Sequence, residues 1–137
     1  MTKIIVIDGQ GGSLGRAVIE QLKKTLPDQP VLAIGTNSIA TAAMLKGGAA
    51  AGATGENPVL VNCRDADYII GPVGLLAADA LLGEITPAMA RAVGGSPALK
   101  LLIPVNKCQI RIAGQSNLPY AEYVRLAVEE LKNMLGK

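Results

Sequence analysis

The chain has 137 residues, 50% of them apolar, with 13 basic and 11 acidic side chains and a formal charge of +2; that is enough to close one core, so residues 1–137 are expected to fold as a single domain without disulfides or metal. Near-balanced charge, no run of Lys or Arg, and only three Tyr with no Phe or Trp argue against a nucleic-acid surface. The absence of His removes the commonest general base and every His ligand, and Cys63 and Cys108 form no Cys-x-x-Cys pair, so no metal site is expected.

Residues 3–8 are a continuous, largely β-branched run ending in Asp8, the pattern of a strand covered on both faces in a parallel sheet. Residues 14–26 follow as a helix, with Leu14, Val18, Ile19, Leu22 and Leu26 at helical spacing, Ser13 placed as N-cap and Pro27 beyond the end. Residues 31–35 read as the second strand and 38–46 as the second helix. The Gly/Ala-rich stretch 47–58 reads as a functional loop or a frayed helix end. Residues 59–62 are expected to be a short third strand and 67–71 a buried fourth.

Residues 74–82 have the composition of an apolar helix closed by Gly83, serving either as core or as half of a homodimer interface. Thr86-Pro87 supplies an N-cap and first-turn pair for a further helix that stops at Gly94-Gly95. Residues 99–105 are the fifth strand, Asn106-Lys107 a turn, and 109–113 an antiparallel edge strand; the last helix starts near Pro119. The chain enters Ile4 directly after Met1-Thr2-Lys3, with no signal-peptide pattern, and its longest weakly polar stretch, 68–78, is well short of the roughly 20 residues of a membrane span. A cytoplasmic protein without membrane contact is expected.

Alternating strands and helices imply a three-layer α/β, Rossmann-like doubly wound sheet, mostly parallel, in the order 3-2-1-4-5 with a sixth strand at the edge. Ligands of such sheets bind beyond the carboxyl ends of the strands where the order reverses, between strands one and four. After strand one stands Asp8-Gly9-Gln10-Gly11-Gly12-Ser13-Leu14-Gly15, in which Gly9, Gly11 and Gly15 fit a G-x-G-x-x-x-G spacing. Glycines there let backbone amides approach a phosphate at a helix N-terminus. Asp8 either caps the following amides in an Asx-type turn or reaches a ligand.

About 20 residues further on, where a NAD site carries Asp or Glu for the ribose, the chain has Thr36-Asn37-Ser38. These groups either hold a phosphate, as in NADP, or cap the second helix. Gly71-Pro72 and Gly74 form a second turn that either faces the same ligand or is only a tight buried corner, and Asn106 is the further candidate at the rim. Cys63 and Asn62 end the expected third strand, and Lys107 and Cys108 lie beside Asn106; both Cys read either as core or, for Cys108 next to Lys107, as a nucleophile. Glu56 and Glu84 have no role fixed by the sequence. No Tyr-x-x-x-Lys pair of the short-chain dehydrogenase type is present.

The strings from Val6 to Gly12, Gly35-Thr36-Asn37, Gly52 to Asn57, Gly71 to Gly74, Leu82 to Pro87 and Ile103 to Cys108 together resemble a small bacterial domain-of-unknown-function family, DUF3842. The resemblance covers nearly the whole chain; it implies a Rossmann-like fold and carries over no catalytic residue. The leading expectation is a binding module for a nucleotide or other phosphorylated small molecule, with NADP the first candidate. The alternatives are a small NADP-dependent reductase or thiol-based transferase, and a structural subunit that forms a homodimer.

Overall fold

The structure, a computed structural model, describes residues 1–105 and 109–137. The elements in chain order are β1 (Ile4–Asp8), α1 (Ser13–Thr25), β2 (Val31–Gly35), α2 (Ser38–Lys46), β3 (Ala51–Thr54), α3 (Glu56–Asn62), β4 (Tyr68–Pro72), a 3-10 turn (Val73–Leu76), α4 (Pro87–Gly94), β5 (Leu99–Ile103) and α5 (Tyr120–Met134). The five strands form one parallel sheet in the order β3-β2-β1-β4-β5. This is the expected α/β order, with helices on both faces.

β1 shows why its run is unbroken rather than alternating. Side chains of a strand point to opposite faces in turn. Ile4 and Val6 enter a core built with Leu14, Val18, Ile19 and Leu22 of α1 and Val124, Val128 and Leu131 of α5. Ile5 and Ile7 enter a second core with Val59, Leu75, Ile85, Met89 and Val93. Each fully buried Ile contributes about 1.5–3 kcal/mol of transfer free energy, so the central strand ties both layers to the sheet.

Four expectations are corrected. Ser13 is the first residue of α1 and not its cap: Gly12, at φ 75°, holds the cap position, with no side-chain bond to the first turn. The third strand is Ala51–Thr54, inside the stretch read as a loop, and residues 59–62 belong to α3. Gly52 shows the physical reason: a Cβ there would stand 2.9 Å from Thr41 Cγ2 and 3.1 Å from Leu45 Cγ, so α2 lies on β3 too closely for a larger residue. Small side chains mark a close helix-strand approach here. In α3, Pro58 occupies the first turn, where its missing N–H costs nothing, and of the two β-branched residues only Val59 is buried while Val61 is exposed.

Residues 74–82 do not form a helix, so neither a core helix nor a helical dimer face exists there. After the 3-10 turn the backbone folds on itself, with Asp79 N–H donating to Ile85 O, Gly83 N–H to Asp79 O and Ile85 N–H to Ala80 O. Leu75, Ala80 and Leu81 are buried as a helix would bury them, which is why composition alone misled. The sixth strand is absent as well: residues 109–113 pair with no strand and the sheet ends at β5. Apart from half-buried Ile110 this segment is exposed, so it offers a sheet edge no apolar face to bury. The expected turn at Asn106-Lys107 lies outside the described residues. No helix among the described residues is long and apolar enough to cross a membrane.

The loop before α4 holds Leu81 at φ 56° and Leu82 at φ 57°, left-handed values that cost a residue with a Cβ about 1–2 kcal/mol. Leu82 is 95% exposed and Leu81 3%. Leu82→Gly relieves that strain against about 0.5–1 kcal/mol of added unfolded-chain entropy, and the net expectation is a rise in urea-unfolding stability of about 0.5–1 kcal/mol. Leu81→Gly, which also empties a core position, is expected to lose about 2 kcal/mol or more.

Candidate functional site

β1 delivers Asp8 to the carboxyl rim of the sheet, where its side chain is buried. Oδ1 accepts from Gly9 N–H at 2.8 Å and Oδ2 from Gly15 N–H at 2.7 Å. The carboxylate therefore spans the loop from inside, as an Asx-type turn with one further bond into the first turn of α1. Burial raises its pKa above the ordinary value; the Gly15 and Gly9 amides pull it down, and the charge of Glu84 pushes it up again. Asp8 is a brace for the loop, facing amides rather than open solvent.

The four glycines of the loop divide by what demands them. A Cβ on Gly9 would stand 2.7 Å from Thr36 Oγ1, 2.9 Å from Glu84 Oε1 and 3.0 Å from Leu81 Cδ1. On Gly12, at φ 75°, it would stand 2.7 Å from Ala40 Cα, and on Gly15 2.5 Å from Met44 Sδ. These three are required by the protein's own packing. Gly11 has no atom within 4 Å of a Cβ and no positive φ. Among the described residues nothing asks for glycine there.

The amides of the loop divide in the same way. Gly9 and Gly15 N–H go to Asp8, Gly12 N–H to Gly9 O, Arg16 N–H to Gly12 O and Gln10 N–H to Glu84. The N–H groups of Gly11, Ser13 and Leu14 have no acceptor among the described residues. They lie where the α1 macrodipole is positive. A cavity of about 190 Å³ opens at this point, lined by loop residues 8–14 with Val105 and Tyr120.

Tyr120 is the first residue of α5, and its phenol lies beside the Ser13 side chain; partial burial raises its pKa, the Ser13 contact lowers it, and the Asp8 charge raises it. No local pattern in the sequence marks Tyr120 for this place. The signal was topological: in a parallel sheet every helix that follows a strand starts at the same rim, so the first residue of α5 shares a rim with the first turn of α1.

Thr36 and Asn37 directly follow β2. Thr36 Oγ1 donates to Glu84 Oε1 at 2.5 Å, and Asn37 Nδ2 donates to Glu84 Oε1 at 2.9 Å and to Gln10 O at 3.0 Å. Asn37 Oδ1 accepts from Ala40 N–H at 2.9 Å, so Asn37 is the cap of α2 while Ser38 is its exposed first residue. Gly71, Pro72 and Gly74 are buried and do not line the cavity. A Cβ on Gly71 would meet Ile7 O and Leu75 Cδ1 at 2.5 Å, which makes this a tight corner between β4 and β1.

Other candidates stand elsewhere. Because residues 59–62 are helical, Asn62 and Cys63 end α3 at the opposite rim, where Lys3 Nζ donates to Asn62 Oδ1 at 3.0 Å. Burial pushes the Cys63 thiol up to about 11, against smaller opposing effects of Lys100 and Lys3, so it stays protonated and unreactive at neutral pH. Glu56 accepts from Thr86 Oγ1 at 2.6 Å and joins the starts of α3 and α4. Asn106, Lys107 and Cys108 lie outside the described residues. Among the described residues no group of three Cys, Asp or Glu side chains is placed to hold a metal.

Fold and loop together define a Rossmann-like α/β protein with a glycine loop on its central strand. The chain belongs to the family described as "Domain of unknown function (DUF3842)", which matches residues 3–136. No curated protein matches the chain. Among solved structures, a dodecameric FMN-dependent Ubix-like decarboxylase from Escherichia coli O157:H7 aligns with 17% identity and a TM-score of 0.48, over 96% of this chain and 76% of that one.

The division of the glycines is open to direct measurement. Gly12→Ala combines a left-handed φ with a backbone clash and is expected to lose about 2 kcal/mol or more, whereas Gly11→Ala is expected to stay within about 0.5 kcal/mol of the wild type. Equal losses in chemical unfolding would contradict the division.

Proposed function

We propose that this protein binds the phosphate of a nucleotide or similar small phosphorylated ligand at the β1–α1 loop. The observation that carries the reading is a set of three amides, at Gly11, Ser13 and Leu14, with no acceptor among the described residues, beside a loop glycine, Gly11, that no described residue crowds. Peptide N–H groups that converge at a helix N-terminus are the usual receptor for a phosphate oxygen. The loop also stands next to the β1/β4 switch of strand order, the place where open α/β sheets take their ligands.

The surrounding groups support the same reading. Asp8 spends its oxygens on Gly9 and Gly15, so its charge is neutralised in part by amides before it reaches the cavity. Ser13 and Tyr120 bring two hydroxyls to the same opening. NADP enters the set of ligands to test because of Thr36-Asn37-Ser38, although Thr36 and Asn37 already donate to Glu84.

Titration calorimetry and thermal shift with NAD, NADP, FMN and adenine nucleotides test the proposal. A ligand at a hundredfold excess over its Kd stabilises the fold by about 2.7 kcal/mol. Gly11→Asp places a carboxylate over the free amides and is expected to abolish that gain while leaving the unliganded protein folded. Absence of binding by every member, or unchanged binding by the variant, overturns the proposal.

A further inference from the structure

Glu84 belongs to the connection between β4 and α4, yet its carboxylate reaches two other connections. Oε1 accepts from Gln10 N–H at 2.9 Å, from Thr36 Oγ1 at 2.5 Å and from Asn37 Nδ2 at 2.9 Å. Gln10 lies in the glycine loop, and Thr36 and Asn37 are the first two residues beyond β2. The carboxylate thus sits where the loop and the carboxyl end of β2 meet.

That position has a chemical meaning in sheets of this order. A dinucleotide site needs an acidic side chain at the end of the second strand, one step from the phosphate loop, to accept the ribose hydroxyls. The connection that follows β2, Thr36-Asn37-Ser38, has no acidic residue, and Glu84 delivers one to the same junction from a different part of the sequence.

Several features fit a hydroxyl receptor. All three bonds fall on Oε1, and Oε2 accepts none among the described residues, so a carboxylate with about four acceptor positions keeps one oxygen free. No Lys or Arg pairs with Glu84 among the described residues. Partial burial pushes its pKa up, but the Thr36, Gln10 and Asn37 bonds outweigh this and hold it below the ordinary value, so the group is charged at neutral pH. Its approach is fixed by the left-handed Leu81-Leu82-Gly83 turn, and Gly9 leaves it room.

We infer that Glu84 is the specificity-determining carboxylate of the loop site, accepting hydrogen bonds from the 2′- and 3′-hydroxyls of an unmodified ribose and rejecting a 2′-phosphate by its charge. The ligand class is therefore a ribonucleotide with a free 2′-hydroxyl, such as NAD or ADP, and not NADP. This rests on the phosphate reading of the loop: Glu84 does not itself line the cavity but is bonded to Gln10, which does, so the ribose would extend from the cavity past Gln10 toward the end of β2.

Calorimetry with two matched pairs, NAD against NADP and ADP against 2′-deoxy-ADP, tests it on the wild-type protein and on Glu84→Gln. The wild type is expected to prefer the first member of each pair by about tenfold or more, the usual worth of a hydrogen bond to a charged group. Glu84→Gln is expected to bring both ratios to within about threefold. A purely structural Glu84, pinning the connection to the loop, would lower all four affinities by one common factor and leave the ratios unmoved. The wild-type ratios need no variant, so a misfolded Glu84→Gln does not rescue the inference. Nucleotide binding without discrimination by the wild type, or unchanged ratios in the variant, overturns the inference alone; no binding of any of the four overturns the loop reading together with it.

Discussion

At the end of β1, both oxygens of Asp8 are bonded to backbone amides, Oδ1 to Gly9 and Oδ2 to Gly15. A buried carboxylate is costly unless its acceptors are filled, and here filling them shapes the loop. The bond to Gly9 starts the turn off the strand, and the bond to Gly15 draws the first turn of α1 down onto the sheet. With Gly9 and Gly15 N–H held by Asp8, Gln10 N–H by Glu84, Gly12 N–H by Gly9 O and Arg16 N–H by Gly12 O, the N–H groups of Gly11, Ser13 and Leu14 are left without an acceptor among the described residues. The bonds that brace the loop are also the ones that decide which of its amides keep no acceptor among the described residues.

The rest of the fold holds that arrangement rigid. β1 sends alternate side chains into two cores, so it cannot shift without disturbing helices on both faces. Ala40 and Met44 of α2 press against Gly12 and Gly15, and Thr36, Leu81 and Glu84 close over Gly9. Three connections, after β1, β2 and β4, are thereby locked together at one rim, with the Glu84 carboxylate as their common acceptor. α5 adds Tyr120 from the fourth side.

Strand order, the β1 loop and the long amphipathic helices were legible in the sequence because each rests on a local pattern: a β-branched run, a glycine spacing, an apolar stripe. The pieces that were not legible depend on distant partners. Ala51–Thr54 is a strand through its pairing with β2, and its residues are small because α2 lies close upon it, and residues 74–82 are an irregular buried turn because the second core accepts Leu75, Ala80 and Leu81 without a helix. In the site, Asp8 was readable as a turn-former since its partners are within seven residues. Glu84 was not, because its partners are 47, 48 and 74 residues away in the chain and no local pattern points to them. Cys63 moved to the far rim for a simpler reason: once the segment before it is a helix and not a strand, its end points the other way.

The proposed anion site consists of the Gly11, Ser13 and Leu14 amides, which have no acceptor among the described residues. Backbone amide chemical shifts followed through a titration with orthophosphate test it most directly. Saturable shifts are expected at those three amides, with Gly9 and Gly15, held by Asp8, changing little. Shifts centred elsewhere on the protein, or none at the three amides up to the solubility limit of the salt, would contradict it.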